Sequence, residues 1–470
     1  MALSIANNIT SLNAQNNLNK ANTALATSVE RLSSGLKVNK GADGPAALVI
    51  SEKQRAQIAG LQQAIENSNK AVSLVQTAEG ALGEINDLLV KVRSLALDSA
   101  NAGVNDSDAL AANQAEIDNA LDTINRIASN TQFGTKKLLD GSAGVKGTAN
   151  DADVTVLKGT ADTTAGAYAV SISTAAQRAT VSAGTDQTAA LAADETVTVN
   201  GVSIELSAGL SQGQVVSKIN EYTDQTGVTA DVDSGALRLT SQQYGSDASI
   251  SVISNVAGGA TSTGLGTSLA TDSGVDIVGT IGGTSYTGKG NVLTATSGVA
   301  KGLALQLATA GADPTSTVTG AQGTVTVTNN SLTFQIGPNQ NQTAKVTINK
   351  VDASSLGIGV TGNQFSNLSQ IDVSSATKAQ DAIGVIDQAI SDVTNLRGDL
   401  GAFQQNTLTS TANNLRTTLE NTTNAESVIR DTDFASEIAN FTKNQVLVQA
   451  GTSILSNANQ MPQLVLSLLK

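Results

Sequence analysis

The chain has no cysteine, no histidine and no tryptophan, and only four prolines. Without cysteine there are no disulfides and no thiolate chemistry, which leaves the compartment open, since secreted chains without disulfides exist. Without histidine the commonest general base, the Ser-His-Asp arrangement, the HExxH zinc site and most transition-metal sites fall away together. Aromatic residues make up only 2% of the 470 residues, so cores have to be built from Leu, Ile, Val and Ala. Long helix pairs tolerate that better than thick globules do. Positive charge is short as well: a net charge of −13 argues against nucleic acid or an anionic membrane as partner, because both need a basic face. No apolar run approaches the roughly 18 residues of a membrane span. The start, Met1 to Asn8, lacks the basic flank and apolar block of a cleavable signal, so a secreted chain would leave by another route.

What is present is helical periodicity at both ends. Pro45 to Ala100 carries apolar residues at Ile58, Leu61, Ile65, Val72, Val75, Leu82, Leu89 and Ala96, with Ile85 and Val92 widening the stripe. Ser68, Glu79 and Arg93 interrupt it. At 1.5 Å rise per residue such a helix is roughly 80 Å long and needs a partner of similar length. Pro45 sits where a first-turn proline is tolerated, with Asp43 or Gly44 as cap. Before it, Ile5, Ile9, Leu12, Leu18, Leu25, Val29, Leu32 and Leu36 mark an Asn-rich helix that needs a neighbour to persist. After it, a turn at Asn101 to Asn105 leads to a helix through Leu110, Ile117, Leu121, Ile124 and Ala128, with Ser107 as expected N-cap. Thr131 to Gly141 closes the helical block with turn chemistry.

From Ser142 to about Ser374 the character changes to Gly, Thr and Ala with alternating apolar residues, and all four Tyr fall here. This stretch holds 9 Lys plus Arg and 17 Asp plus Glu, so a net −8 of the chain's −13 resides in it. Thr196 to Leu206 alternates around Asn200 and Gly201, the strongest short hairpin signal. A short helix through Val215, Val216 and Ile219 follows, then a hairpin from Val228 to Leu239 around Gly235. Thr324 to Ile336 predicts a further hairpin with Asn329 and Asn330 at the turn.

From Ser375 the helical period returns through Ile383, Ile386, Ile390, Val393, Leu396, Leu400, Phe403, Leu408, Leu415 and Leu419, the long partner of the first stripe. A last helix runs from about Phe434 through Ile438, Phe441, Leu447, Ile454, Ala458, Met461, Val465 and Leu468, and is expected to pair with Ile5 to Leu36. The fold class is mainly α with a β-rich insert: a long antiparallel helical coiled-coil bundle formed by both chain ends, plus outer β-rich domains. The expected division is a terminal coiled-coil domain of residues 1–45 and 420–470, and a long-helix domain of 46–141 and 375–419. A β-rich insert of 142–374 completes it, with a strand-helix-strand module near 195–255. A two-helix terminal unit is marginal alone and is expected to order fully against neighbouring copies, which points to a polymer.

Other chemistry is poorly supported. Glu79, Glu84 and Asp87 read as a solvated helix face, because no spacing converges them with a nucleophile. Asp231 and Asp233 lack the twelve-residue calcium pattern, and Gly279 to Gly283 lacks the lysine and strand-to-helix context of a phosphate loop. The chain reads as no enzyme, with no catalytic residue, metal or cofactor.

The motifs SLNAQNNL (Ser11 to Leu18), RLSSGL (Arg31 to Leu36), QIAGL (Gln57 to Leu61) and QTAEGAL (Gln76 to Leu82) resemble those of the bacterial flagellins. So do LGAF (Leu400 to Phe403), ESVIRDTD (Glu426 to Asp433), FTK (Phe441 to Lys443) and QAG (Gln449 to Gly451). Thr196 to Ser241 is similar to the small module of flagellin and hook-associated inserts, and FQIGPNQNQT (Phe334 to Thr343) to another flagellin segment. Ala42 to Pro45 and Thr407 depart from the family pattern. The resemblance implies a self-polymerising subunit of the extracellular flagellar filament, used for swimming and exported through a type III channel. The alternative is a hook-filament junction protein, which shares the terminal helices. Implied partners are further copies of the chain, an export chaperone at the C-terminal helix, and the hook-associated junction and cap proteins. The terminal apolar residues named above would pack subunits together. Lys91, Leu95 and Glu116 would form the ridge read by an animal innate immune receptor, with Val90 and Ser94 departing from the polar residues usual nearby.

Overall fold

The computed structural model describes residues 8–101, 103–311, 313–360 and 363–468, side chains 224 and 462–468 aside. Eight α-helices are described: α1 (Ile9–Ser34), α2 (Pro45–Ser99), α3 (Ser107–Asn130), α4 (Gln212–Asn220), α5 (Thr223–Thr226), α6 (Ala376–Ala402), α7 (Ser410–Arg430) and α8 (Phe434–Leu468). The chain is helical at both ends with a β-rich middle.

The chain divides into two compact units. One comprises Met1–Lys70, Gln335–Thr343 and Leu408–Lys470, and the other Ala71–Phe334 and Ala344–Thr407. In the first unit, Leu61, Ala64 and Ile65 of α2 form a small core with Leu415 and Leu419 of α7. The loop 335–343 lies on the same part of α2. Asn67 Nδ2 donates to the Gln335 carbonyl at 3.2 Å, and Pro338 sits so close to Gly60 that an added Cβ would meet its ring carbon at 3.2 Å. At the junction of α7 and α8, Lys37 N donates to the Arg430 carbonyl and Thr432 N to that of Gly35, which tie the two ends of the chain together.

The long helix α2 starts at the predicted Pro45 and ends at Ser99, one residue before the predicted Ala100, and its buried row runs Leu61, Ala64, Ser68, Ala71, Val75, Ala78, Leu82, Ile85, Leu89, Val92, Ala96, Ser99. That is an unbroken 3-4 alternation, the seam of a coiled coil. Ser68 is part of the seam rather than an interruption, because its hydroxyl donates back to the Ala64 carbonyl at 2.9 Å. Ile58 and Val72 flank the seam half-buried. In the second unit Ile117, Leu121 and Ile124 of α3 and Val385, Ile386 and Val393 of α6 are buried as well. Arg93 pairs with Asp387 at 2.6 Å and Asn113 donates to Asp98 and Ser99, fixing the register. The α6 seam is Ala379, Ala382, Val385, Ile386, Ala389, Val393 and Leu400, so the predicted Ile383 and Ile390 stand at its margin.

Three local expectations need correction. The N-cap of α3 is Asp106, whose carboxylate accepts from Ala109 N at 2.8 Å, one residue before Ser107. The helix of the C-terminal half is not continuous: a π-helical stretch, Phe403–Thr409, separates α6 from α7 and contains Thr407. Asn329 and Asn330 do not close a hairpin. Gly320–Asn329 pairs on one edge with Val145–Ala149 and on the other with Gly166–Thr174, leaving no edge for the strand that follows. Leu332–Gln335 pairs instead with Thr343–Val346. Neither asparagine adopts the positive φ that a two-residue hairpin turn requires, and the Asn329 amide reaches the carbonyls of Ala161 and Thr163.

The β-rich region, in the second unit apart from Gln335–Thr343, has two apolar cores. One is built on a five-stranded antiparallel sheet and includes Tyr168, Ile172, Ile281, Leu305 and Val325. The other is the predicted strand-helix-strand module: Glu195–Val199 and Val202–Leu206, α4, then Val228–Asp233 and Ala236–Tyr244, closed over Val197, Ile204, Val215, Ile219 and Leu239. Both of its turns are as expected, with Asn200 and Gly201, then Ser234 and Gly235, at positive φ between paired residues Val199↔Val202 and Asp233↔Ala236. Gly279 lies within a strand, packed on the Ser171 carbonyl, and only Gly282 and Gly283 make a turn. Asp231 and Asp233 are both held by Arg238, a structural pairing.

Candidate assembly surface

The terminal helices α1 and α8 pack antiparallel. Asn8 Nδ2 donates to the Ala458 carbonyl at 2.8 Å, Ser11 Oγ to Asn459 at 2.6 Å, and at the other end Arg31 pairs with Glu437 at 3.7 Å. The covered positions of α1 include the row Ser11, Ala14, Leu18, Ala21, Leu25, Ser28 and Leu32, and those of α8 are Glu437, Phe441, Asn444, Val448, Gly451, Leu455 and Ala458 among the described side chains. Both rows step by 3 and 4, a coiled-coil seam, yet they are filled mainly by small or polar residues. Gly451 fits because Leu18 lies against it, 3.3 Å from where a Cβ would be. Glu437, only 6% exposed, is the acidic anchor of the seam.

Many of the bulky residues lie outside it. Ile9 is 64% exposed, Leu12 58% and Ile454 58%, and Val29, Phe434, Ile438, Leu447 and Met461 are also exposed. Leu447, Ile454 and Met461 recur every seven residues on one face of α8, away from the seam. Of the sequence-predicted packing residues, Leu18, Leu25, Leu32 and Phe441 lie in the intrachain seam, and Leu36 is half-buried in a bridge to Asp431. Ile5 lies outside the described residues, as do the side chains of Val465 and Leu468. Exposed Val446 belongs to the outward set and was not singled out from the sequence.

Acid-base groups around this surface are paired. Hydrogen bonds from Arg55 and Arg430 hold the Glu52 carboxyl below the usual carboxylate range. Backbone N–H groups of Lys40 and Asn39 do the same for Asp43, which therefore closes the turn before α2 and leaves Gly44 to accept the first helical hydrogen bond from Leu48. Further along, Lys91 pairs with Glu116 at 2.6 Å with both side chains about half exposed, and Leu95, one turn on from Lys91, is half-buried. The three ridge residues are thus brought together across α2 and α3. Among the described residues no helix is long and apolar enough to cross a membrane.

Comparison with known proteins gives the family. Residues 5–144 match the bacterial flagellin N-terminal helical region, 383–469 the bacterial flagellin C-terminal helical region, and 193–243 the flagellin hook IN motif. The chain is 35% identical over 531 residues to the B-type flagellin of Pseudomonas aeruginosa and 34% identical over 514 to the flagellin of Salmonella typhimurium, covering 100% of both chains in each case. It is 32% identical over 462 residues to the flagellin of Clostridium tyrobutyricum, covering 98% of this chain and 100% of the relative. The chain belongs to the bacterial flagellins: it is a structural protein, not an enzyme, and a self-assembling subunit of the extracellular flagellar filament.

Proposed function

We propose that residues 1–45 and 420–470 line the core of the filament, and that 46–141 and 375–419 form its outer tube. Residues 142–374 form the solvent surface. The observation that carries this is the apolar surface the α1 and α8 pair leaves uncovered: beside a seam of mixed small and large residues, Ile9, Leu12, Leu447, Ile454 and Met461 stand exposed. Contiguous exposed apolar surface of this kind marks an interaction site, and a homopolymer supplies the same surface in every subunit. Before assembly that face needs cover, which supports an export chaperone on α8. Junction and cap proteins that meet the filament ends would use the same face.

Lys91, Leu95 and Glu116 form the ridge for a leucine-rich-repeat innate immune receptor. Their convergence on adjacent helices supports it. Burial of this face between subunits would leave the ridge accessible on monomers only.

The test is deletion of residues 434–470 followed by seeded polymerisation. Loss of filament growth is expected, and growth at the rate of the full chain contradicts the proposal.

A further inference from the structure

Outside the assembly surface, the β-rich region contains a recess of about 290 Å³ whose floor is Arg178 stacked on Tyr244. The guanidinium carbon lies 4.6 Å from the ring centroid, over a tyrosine that is itself buried and whose hydroxyl is hydrogen-bonded to Thr309 Oγ1 at 2.8 Å. The cation is therefore fixed in place. It is not neutralised. Among the described residues Arg178 has no ion pair and its side chain donates no hydrogen bond, and its Nε is buried without an acceptor. Every other arginine of the β-rich region, which is Arg238 alone, is clamped by two carboxylates.

An orphaned guanidinium is costly in a partly buried setting, and more conspicuous in a segment of net −8, where carboxylates are abundant. No acidic side chain lines the recess. Around the cation stand neutral hydrogen-bonding groups: the hydroxyls of Thr155 and Thr309 and the amides of Asn291 and Gln306. Asn291 is held by its donation to the Leu307 carbonyl at 3.0 Å. The combination is one fixed fork of donors, which matches a carboxylate, beside a rim of neutral groups that match hydroxyls. The volume lies at the lower end of the range of small-molecule sites, room for one ring.

We propose that this recess binds an acidic monosaccharide, a six-membered polyhydroxylated ring bearing one carboxylate. The carboxylate lies on Arg178 and the ring hydroxyls on Thr155, Asn291, Gln306 and Thr309. The site is independent of the α1 and α8 surface, so binding is a property of monomer and filament alike.

The experiment titrates the full-length chain with D-glucuronate, D-glucose, acetate and inorganic phosphate, read by calorimetry or by saturation-transfer NMR. Glucuronate is expected to bind at least about tenfold more tightly than each of the other three, since both halves of the site act only on it. Arg178→Gln is expected to abolish that preference, and Gln306→Met to weaken glucuronate at least severalfold while leaving acetate unchanged. Tyrosine near-UV circular dichroism checks that each variant is folded, and if Arg178→Gln is not, Gln306→Met decides. Absence of glucuronate binding, glucose or acetate binding as tightly, phosphate binding more tightly, or unchanged glucuronate affinity in the folded variants each overturns the proposal.

Discussion

The α2 seam and the seam between α1 and α8 have the same 3-4 spacing and differ in depth of burial and in what stands beside them. Along α2 the row holds Leu61, Leu82, Ile85, Leu89 and Val92, all essentially inaccessible. Along α1 and α8 the corresponding places mix Leu18, Leu25, Leu32, Phe441 and Leu455 with Ala14, Ser28, Gly451 and Ala458, most of them only half-buried, and further large apolar residues such as Ile9, Leu12, Ile454 and Met461 stand exposed. A filled seam stabilises the single chain at about 1.5–3 kcal/mol per fully buried large side chain. The terminal seam, whose large side chains are only half-buried, contributes less of that within one chain and leaves apolar surface for contacts between chains. Identical periodicity thus encodes a self-sufficient core in one place and a deferred one in the other.

The comparison breaks most visibly on truncating a filled position. Leu89→Ala is expected to cost the monomer about 2–5 kcal/mol, measured by denaturant unfolding, while Ile454→Ala leaves it within about 0.5 kcal/mol. Equal effects would erase the distinction. Next in size is Glu437→Ala, which strips Arg31 of its buried partner. We expect it to destabilise the α1 and α8 pair alone, seen as faster protease cleavage in residues 9–34 and 434–468 of the monomer with the rest of the chain unaffected. Assembled filaments are expected to protect those same residues. Smaller again is Lys91→Ala, an exposed pair worth at most about 1 kcal/mol. Monomer stability is expected to hold while signalling through the receptor in a reporter cell falls, and unchanged signalling removes the ridge from the account.

The smallest effect is with pH. Burial raises the Asp372 carboxyl, but hydrogen bonds from Lys378 and Ser374 outweigh it and hold it down at about 2. A carboxyl depressed in the folded state adds stability above its ordinary value near 3.8, which is lost as pH falls from there through about 2. Asp372→Asn is expected to flatten that part of the acid-unfolding profile, and an unaltered profile contradicts the assignment.

Helix limits were legible where a local signal coincided with periodicity. Pro45 opens α2, and Asp433, which accepts from Ala435 N, precedes the start of α8 at Phe434. The two tight turns of the module were legible for the same reason, since Asn-Gly and Ser-Gly carry their own backbone preference. The composition of the terminal seam was not. Ala14, Ser28, Asn444 and Gly451 contribute almost nothing to a hydropathy pattern, so the pattern does not separate Leu18, Leu25, Leu32 and Phe441, which lie in the seam, from Ile9, Leu12, Leu447 and Ile454, which stand outside it. Asn329 and Asn330 misled because a turn-forming pair says nothing about whether the strand edge beside it is already occupied. The stacking of Arg178 on Tyr244 joins residues 66 positions apart and leaves no trace in spacing.

The central claim is that the outward face of α8 is built for other copies of the chain. It is tested most directly by the triple substitution Leu447→Ser, Ile454→Ser and Met461→Ser, measuring critical concentration for polymerisation alongside monomer helicity. Three exposed positions contributing about 1 kcal/mol each predict a rise on the order of a hundredfold with helicity unchanged. A critical concentration equal to that of the unmodified chain would contradict the account.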